Sequence, residues 1–199
     1  IRHESRWEGE LWVRGASGVD FPCWATVSAV RDGGGGVTHY VLAFTDITER
    51  KKSEETIQNL AFHDPLTSLP NRRLLADRLD HALKVAARTG KPGALLFVDL
   101  DNFKQLNDNW GHDVGDELLV EVARRLTASA RKSDTVARLG GDEFIVMLTE
   151  LSPDPAQAAR CAEHLAQKLC AALNETCHLE RLPTGTYQGS ASIGVTLYG

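Results

Sequence analysis

Residues 140–144 read GGDEF, two glycines followed by two acids and a phenylalanine. They sit inside DTVARLGGDEFIVML (134–148), whose β-branched and apolar residues predict strand, turn, strand with Gly140 and Gly141 at the tip. Glycine permits positive φ in such a turn and leaves bare backbone for a bulky ligand to lie against. A hairpin tip built of turn-formers with solvated acids would read the same. The meaning of Asp142 and Glu143 therefore depends on what lies beside them.

GALLFVDLD (93–101) is a short apolar run ending in acids, which predicts a buried strand with Asp99 at its C-terminal edge. If this strand neighbours the hairpin, Asp99, Asp142 and Glu143 converge. Crowded carboxylates repel and raise one another's pKa unless a cation sits between them. Oxygen ligands without His or Cys favour Mg2+ or Mn2+ over zinc. Mg2+ takes one or two carboxylates and leaves positions for phosphate oxygens, so the expected ligand is a nucleoside triphosphate.

FVDLDNFKQLNDNWGHDVGD (97–116) extends this expectation. A loop between a strand and a helix offers backbone N–H groups to phosphates, and Lys104 adds a point charge. Asn107 carries a donor and an acceptor, and Asp116 two acceptors. The pair can read a guanine edge, whereas adenine lacks the donors that would satisfy the carboxylate. Asp113 and Asp116 can equally cap and complement the dipole of a helix over 114–130.

The remaining chain reads as ordinary globular protein. Of 199 residues, 42% are apolar and 25% charged, with a net charge of −5. That balance argues against a nucleic-acid binder. No apolar run approaches the ~18 residues of a membrane span. The sequence starts at Ile1 and reads as a piece of a longer protein whose parent could be membrane-anchored, with this part cytoplasmic. Cys23, Cys161, Cys170 and Cys177 form no C-x-x-C pair, which disfavours zinc and predicts buried, reduced thiols. Residues 10–46 predict strands around a flexible GGGG turn (33–36), too few to bury much by themselves. Thr48 is a plausible N-cap for a helix over 48–62. Ile47, Ile57, Leu60 and Ala61 form a narrow seam that either pairs with a twin or lies on the surface. Pro65, Pro70 and Asn71 mark a turn-rich entry to a helix over 72–89, with Leu75, Leu79, Ala82, Leu83 and Ala86 on one face. A helix over 155–173 turns Ala162, Leu165, Leu169 and Leu173 inward, and GSASIGVTLYG closes as a strand.

Taken together, DPLTSLPNRR, FVDLDNFKQLNDNWGHDVGD and ARLGGDEF resemble the GGDEF-domain diguanylate cyclases from His63 to the end of the chain. WEGELW, FPCWATVSAVRD and DITERK make residues 1–48 similar to the C-terminal part of a PAS sensor domain, with 49–62 as a linking helix. The resemblance implies an α+β nucleotide-cyclase fold, ferredoxin-like and related to polymerase palms, behind a partial PAS sheet. It implies that Asp99, Asp142 and the Leu100 carbonyl hold Mg2+ or Mn2+, and that Asp142 or Glu143 acts as base. Asn107 and Asp116 would read guanine near His112. Phe103 and Lys104 would meet phosphates, with Gly140 and Gly141 against the substrate.

The implied reaction joins two GTP into cyclic di-GMP across a homodimer, with loss of two pyrophosphates. Arg131 and Asp134, in RKSD, match the family's R-x-x-D product-inhibition site, though a charged turn before a strand would look alike. The second arginine of that site falls where His164 stands, which implies weaker or pH-dependent product binding. The family's pattern continues past ASIGVTLY with a lysine-bearing helix that grips the triphosphate, so the sequence ending at Gly199 is expected to bind GTP poorly by itself. Two rival readings remain: a non-catalytic module that binds GTP or cyclic di-GMP within a larger phosphodiesterase protein, and a dimerisation relay through the PAS-like part.

Overall fold

The computed structural model of the protein describes residues 6–199. The chain divides into two compact units, Ile1–Gln58 and Asn59–Gly199.

In the first unit, β1 (Arg6–Arg14), β2 (Asp20–Arg31) and β3 (Val37–Asp46) form an antiparallel meander in the order β1-β2-β3. Its hydrophobic burial is slight: Cys23, Ala25 and Ile47 are covered, whereas every residue of β3 is exposed. The tetraglycine turn is better organised than its composition predicts. Asp32 Oδ1 accepts from the N–H groups of Gly34 and Gly36 at 2.9 and 2.8 Å, an Asx-type brace on a chain that lacks side chains of its own. Helix α1 (Thr48–Phe62) follows. Thr48 is its first helical residue rather than its cap. Asp46 Oδ1 accepts the Thr48 N–H at 2.8 Å, because a carboxylate two residues upstream reaches the free amide directly. Of the expected seam, Ile47 is buried, but Ile57 and Leu60 remain 66% and 63% exposed.

The second unit contains α2 (Arg72–Thr89), β4 (Gly93–Leu100), α3 (Phe103–Trp110), α4 (His112–Ser129), β5 (Thr135–Gly140), β6 (Glu143–Leu148), α5 (Pro155–Asn174), a two-residue ladder of β7 (Cys177–His178) and β8 (Thr186–Tyr187), and β9 (Ala191–Tyr198). Its main sheet has the order β5-β6-β4-β9, and every neighbouring pair is antiparallel. Helices α3 and α4 carry the chain across from β4 to β5, and a hairpin then returns β6 between them. This is the split βαβ of a ferredoxin-like sheet.

Strand alternation divides the sheet into two faces. Leu96, Val98, Phe144 and Val146 point to one side, where Leu118, Leu119, Val122 and Leu126 of α4 and Ala162 and Leu169 of α5 cover them. Ala137, Ile145 and Met147 point to the other, against Leu75 and Ala82 of α2. Leu83, expected in that stripe, stays 42% exposed at its edge. Cys161 and Cys170, expected to be buried, are only half-buried, while Cys23 and Cys177 are buried; all four are free.

Helix ends follow local chemistry. Asn71 caps α2 as its sequence predicts, with Oδ1 accepting from the Arg73 and Leu74 amides, and its Nδ2 donates to Ala61 O at the end of α1. Gly90, at φ +67°, ends α2. Segment 103–110, read as part of a loop, is helical. Asn102 turns out of β4 at φ +61°, and Phe103 and Leu106 supply a buried pair one turn apart.

Phe144 answers why an aromatic follows the two acids: it alternates into the core and is 1% exposed. Phe144→Ala is expected to cost about 3–5 kcal/mol through lost burial and the cavity left behind. Urea unfolding should show a lower midpoint at an unchanged slope.

Candidate functional site

Antiparallel pairing places Asp99, next to last in β4, directly opposite Glu143, the first residue of β6. Paired residues share a face, so both carboxylates stand on the same side of the sheet. Asp142 occupies the adjoining turn. The β5–β6 register slips between Arg138 and Gly140, and Gly140 and Gly141 adopt φ of +144° and +54°, conformations that favour glycine. Nothing lies within 4 Å of where a side chain would start at either glycine, so the backbone there is open.

The electrostatics bear the mark of crowding. Desolvation, then the negative charges of Asp142, Glu143 and Asp101, push the Asp99 carboxyl above its ordinary value. Among the described residues, no three His, Cys, Asp or Glu side chains form a ready-made cage for a metal. A cation needing one or two carboxylates, a backbone carbonyl and phosphate oxygens does not require such a cage, and the raised Asp99 fits that donor set. Leu100, whose carbonyl is the remaining candidate ligand, is buried and paired with Ala191. Asp101 is engaged elsewhere: Ser190 and Ser192 donate to its two oxygens at 2.6 and 2.8 Å and hold its carboxyl below the ordinary range.

What fixes the acidic turn is a cation that the sequence reading passed over. Arg138, 9% exposed, donates from Nε and Nη2 to the Gly141 carbonyl at 3.0 and 2.8 Å, and from Nη1 to Asp64 Oδ1 at 2.9 Å. Its backbone N–H donates to Pro70 O. Partial burial pushes Asp64 up, but the hydroxyl and amide of Thr67 and the Arg138 guanidinium together bring it below its ordinary value. Its share of stability is therefore present above the unfolded carboxylate pKa and is lost as pH falls through the lower, folded one. The available signal was an arginine inside the apolar strand TVARLG, since a buried guanidinium needs a fixed acceptor.

The α3–α4 corner gathers a second group. Phe103 is buried at the start of α3, and Lys104 beside it is exposed. Asn107 is half-buried, with Oδ1 enclosed and lacking any hydrogen-bond partner. Its backbone carbonyl accepts from Gly111, whose φ of +86° turns the chain into α4. His112 opens that helix, and Asp116 lies exposed in its second turn. No side chain caps α4; Asp113 instead pairs with Arg181 at 2.9 Å.

Arg131 and Asp134 are not part of either group. They form a turn before β5, at the opposite end of that strand from Gly140, with the Arg131 amide donating to Asp134 Oδ2 at 2.8 Å. Both line a cavity of about 220 Å³ that also holds Cys161, His164 and Lys168. A larger cavity of about 780 Å³, bordered by His81, Lys84, Lys132 and Tyr198, contains none of the clustered acids.

The family model described as "Diguanylate cyclase, GGDEF domain" matches residues 61–199. The chain belongs to the GGDEF family. It is 47% identical over 148 residues to the bifunctional diguanylate cyclase/cyclic di-GMP phosphodiesterase MucR of Pseudomonas aeruginosa, a match covering 74% of this chain and 20% of that protein. The GGDEF-only structure of TpbB from the same species aligns with a TM-score of 0.62 at 42% identity, over 68% of this chain and 75% of that one. The coiled coil and GGDEF domain of DgcB from Caulobacter crescentus, solved with c-di-GMP, aligns with a TM-score of 0.66 at 25% identity, over 77% and 78%. The chain spans 20% of the length of MucR and 31% of that of TpbB.

Within the GGDEF unit, the raised Asp99 makes a signed prediction. An acid raised in the folded state costs stability once ionised, above its folded pKa, and costs none where it is protonated in both states. Without divalent ions, Asp99→Asn should therefore raise Tm at pH 7, and the difference should vanish near pH 3, at about the ordinary carboxylate range. Added Mg2+ should raise Tm of the unsubstituted protein and not of the variant; equal responses would remove Asp99 from the ion's ligands.

Proposed function

We propose that this chain carries the catalytic domain of a diguanylate cyclase, which joins two GTP into cyclic di-GMP with release of two pyrophosphates. The reading is supported above all by the strand pairing of Asp99 with Glu143 beside Asp142, a negative cluster with open backbone around it. Asp99, Asp142 and the Leu100 carbonyl would hold Mg2+ or Mn2+. The bound ion supplies Lewis-acid relief of charge on the phosphates and a lowered pKa for the attacking hydroxyl.

The chain's own residues do the remaining work. Asn107 and Asp116 bind the guanine edge near His112. The Phe103 amide and Lys104 hold phosphates, and Gly140 and Gly141 leave room for them. Asp142 or Glu143 takes the proton of the 3′-hydroxyl as its oxygen bonds to the α-phosphorus of the other GTP and pyrophosphate leaves. One GTP per domain requires two domains facing each other, so the active form is a C2 homodimer. The first unit is read as the C-terminal part of a PAS sensor (1–48), with 49–62 linking it to a cyclase domain over 63–199. The domain is read as cytoplasmic because GTP is the substrate proposed for it; separately, no described helix is long and apolar enough to cross a membrane.

A second reading is a GGDEF module that binds nucleotide without turning it over, inside a larger phosphodiesterase. The bifunctional name of MucR favours keeping it. Incubating the full-length protein with GTP and Mg2+ and assaying for cyclic di-GMP separates the two.

Asp142→Ala is expected to abolish synthesis while leaving the unfolding transition in place, and turnover equal to the unsubstituted protein's would contradict its role. Arg131 and Asp134 are read as the product-inhibition site, with His164 in the same cavity. Arg131→Ala should relieve inhibition by added cyclic di-GMP; unchanged inhibition would show that no such site operates.

A further inference from the structure

Gly115 is a different kind of glycine from those at the acidic turn. It lies in the first turns of α4 with no positive φ, so its backbone does not call for glycine, and glycine is the weakest helix former after proline. Its surroundings do call for it. A Cβ placed there would stand 2.0 Å from Asn107 Oδ1, 3.0 Å from Asn107 Cγ and 3.2 Å from Phe103 Cζ. Asn107 Oδ1 is the enclosed acceptor with no hydrogen-bond partner, so the amide is held there by shape rather than by a bond. The next residue along α4 is Asp116, the other group assigned to the guanine edge.

We propose that Gly115 is a positioning residue for base selection: the missing side chain is the seat that holds the Asn107 amide alongside Asp116. This rests on the assignment of Asn107 and Asp116 to guanine. A short polar side chain on a helix has several rotamers, and an amide that swings free of its seat loses alignment with its neighbour. Any side chain at 115 evicts the amide from the seat. Alanine is the better helix former, which offsets the lost contact, so eviction damages recognition more than folding.

The test is a double-mutant cycle in the full-length protein, using Gly115→Ala, Asn107→Ala and the pair. GTP and ATP turnover with Mg2+ and affinities for both nucleotides by calorimetry are measured, and Tm is recorded for each protein. The expected result is that Gly115→Ala keeps Tm within a few degrees and lowers the preference for GTP over ATP by about tenfold or more, the scale of one lost base contact. The loss should appear in KM and affinity more than in kcat. Asn107→Ala should do the same, and the pair should be no worse than either alone, because the two changes remove one arrangement.

Retained GTP preference in Gly115→Ala, with Asn107→Ala impaired, overturns this inference alone. Losses that add in the pair also overturn it, since Gly115 would then act through Phe103 or helix packing. Unchanged preference in Asn107→Ala, or no preference for GTP in the unsubstituted protein, overturns the base assignment and this inference with it. If Gly115→Ala fails to fold, the pair decides: recovered folding supports a shared seat, and continued loss refutes it.

Discussion

Strand pairing forces two carboxylates to face each other at one end of the sheet. Asp99 and Glu143 are register partners, Asp142 stands in the next turn, and Asp101 is close enough to add its field. Sheet hydrogen bonds leave these side chains no freedom to part along the strand. The protein therefore stores electrostatic repulsion where a cation would relieve it, and the hydrophobic core beneath β4 and β6 bears the cost. That core is closely layered: Leu96, Val98, Phe144 and Val146 of the strands are all at most 2% exposed.

Holding the acidic turn falls to Arg138. Its fork grips the Gly141 carbonyl on one side and Asp64 on the other, so the entry segment DPLT is tied to the acidic turn by one guanidinium. The same entry segment is tied to the end of α1. Asn71 caps α2 through Oδ1, donates through Nδ2 to Ala61 O, and through its backbone N–H to Phe62 O. Opposite pKa directions mark the two ends of this arrangement. Asp64 is lowered because its charge is satisfied, and Asp99 is raised because desolvation, and after it the neighbouring carboxylates, disfavour its charge. The two acids thus differ by their neighbours rather than by residue type.

Glycine serves three separate physical purposes within the GGDEF unit. Gly111 reverses the chain between α3 and α4 through a positive φ. Gly140 and Gly141 supply positive φ and open backbone at the hairpin tip. Gly115 supplies space alone, filled by Asn107 and Phe103. A substitution at each would therefore fail for a different reason, through strain at the first three and through collision at the last.

Much of this was legible from the amino-acid order, because it depends on short-range rules. The 72–89 helix has its Asn cap and apolar spacing, the 93–100 strand its apolar run, and the hairpin its paired glycines. All three appear within a residue of their expected bounds. The place of Asp99 near the end of its strand was legible from the apolar run before it, and the family from the motif order. Other features were not legible, because they depend on residues far apart in the chain. Arg138 meets Asp64 across 74 positions and Asp101 meets Ser190 across 89, and no local pattern encodes such partners. Segment 103–110 hid its helix because it is only eight residues long, and of its three apolar residues Phe103, Leu106 and Trp110 only the first two are buried. Asn107 could be nominated from its chemistry, yet its seat on Gly115 exists only once α3 packs on α4. Sequence thus determined which side chains are candidates for the chemistry. Tertiary structure decided which of them stand together, since burial and strand pairing, not proximity along the chain, set their distances.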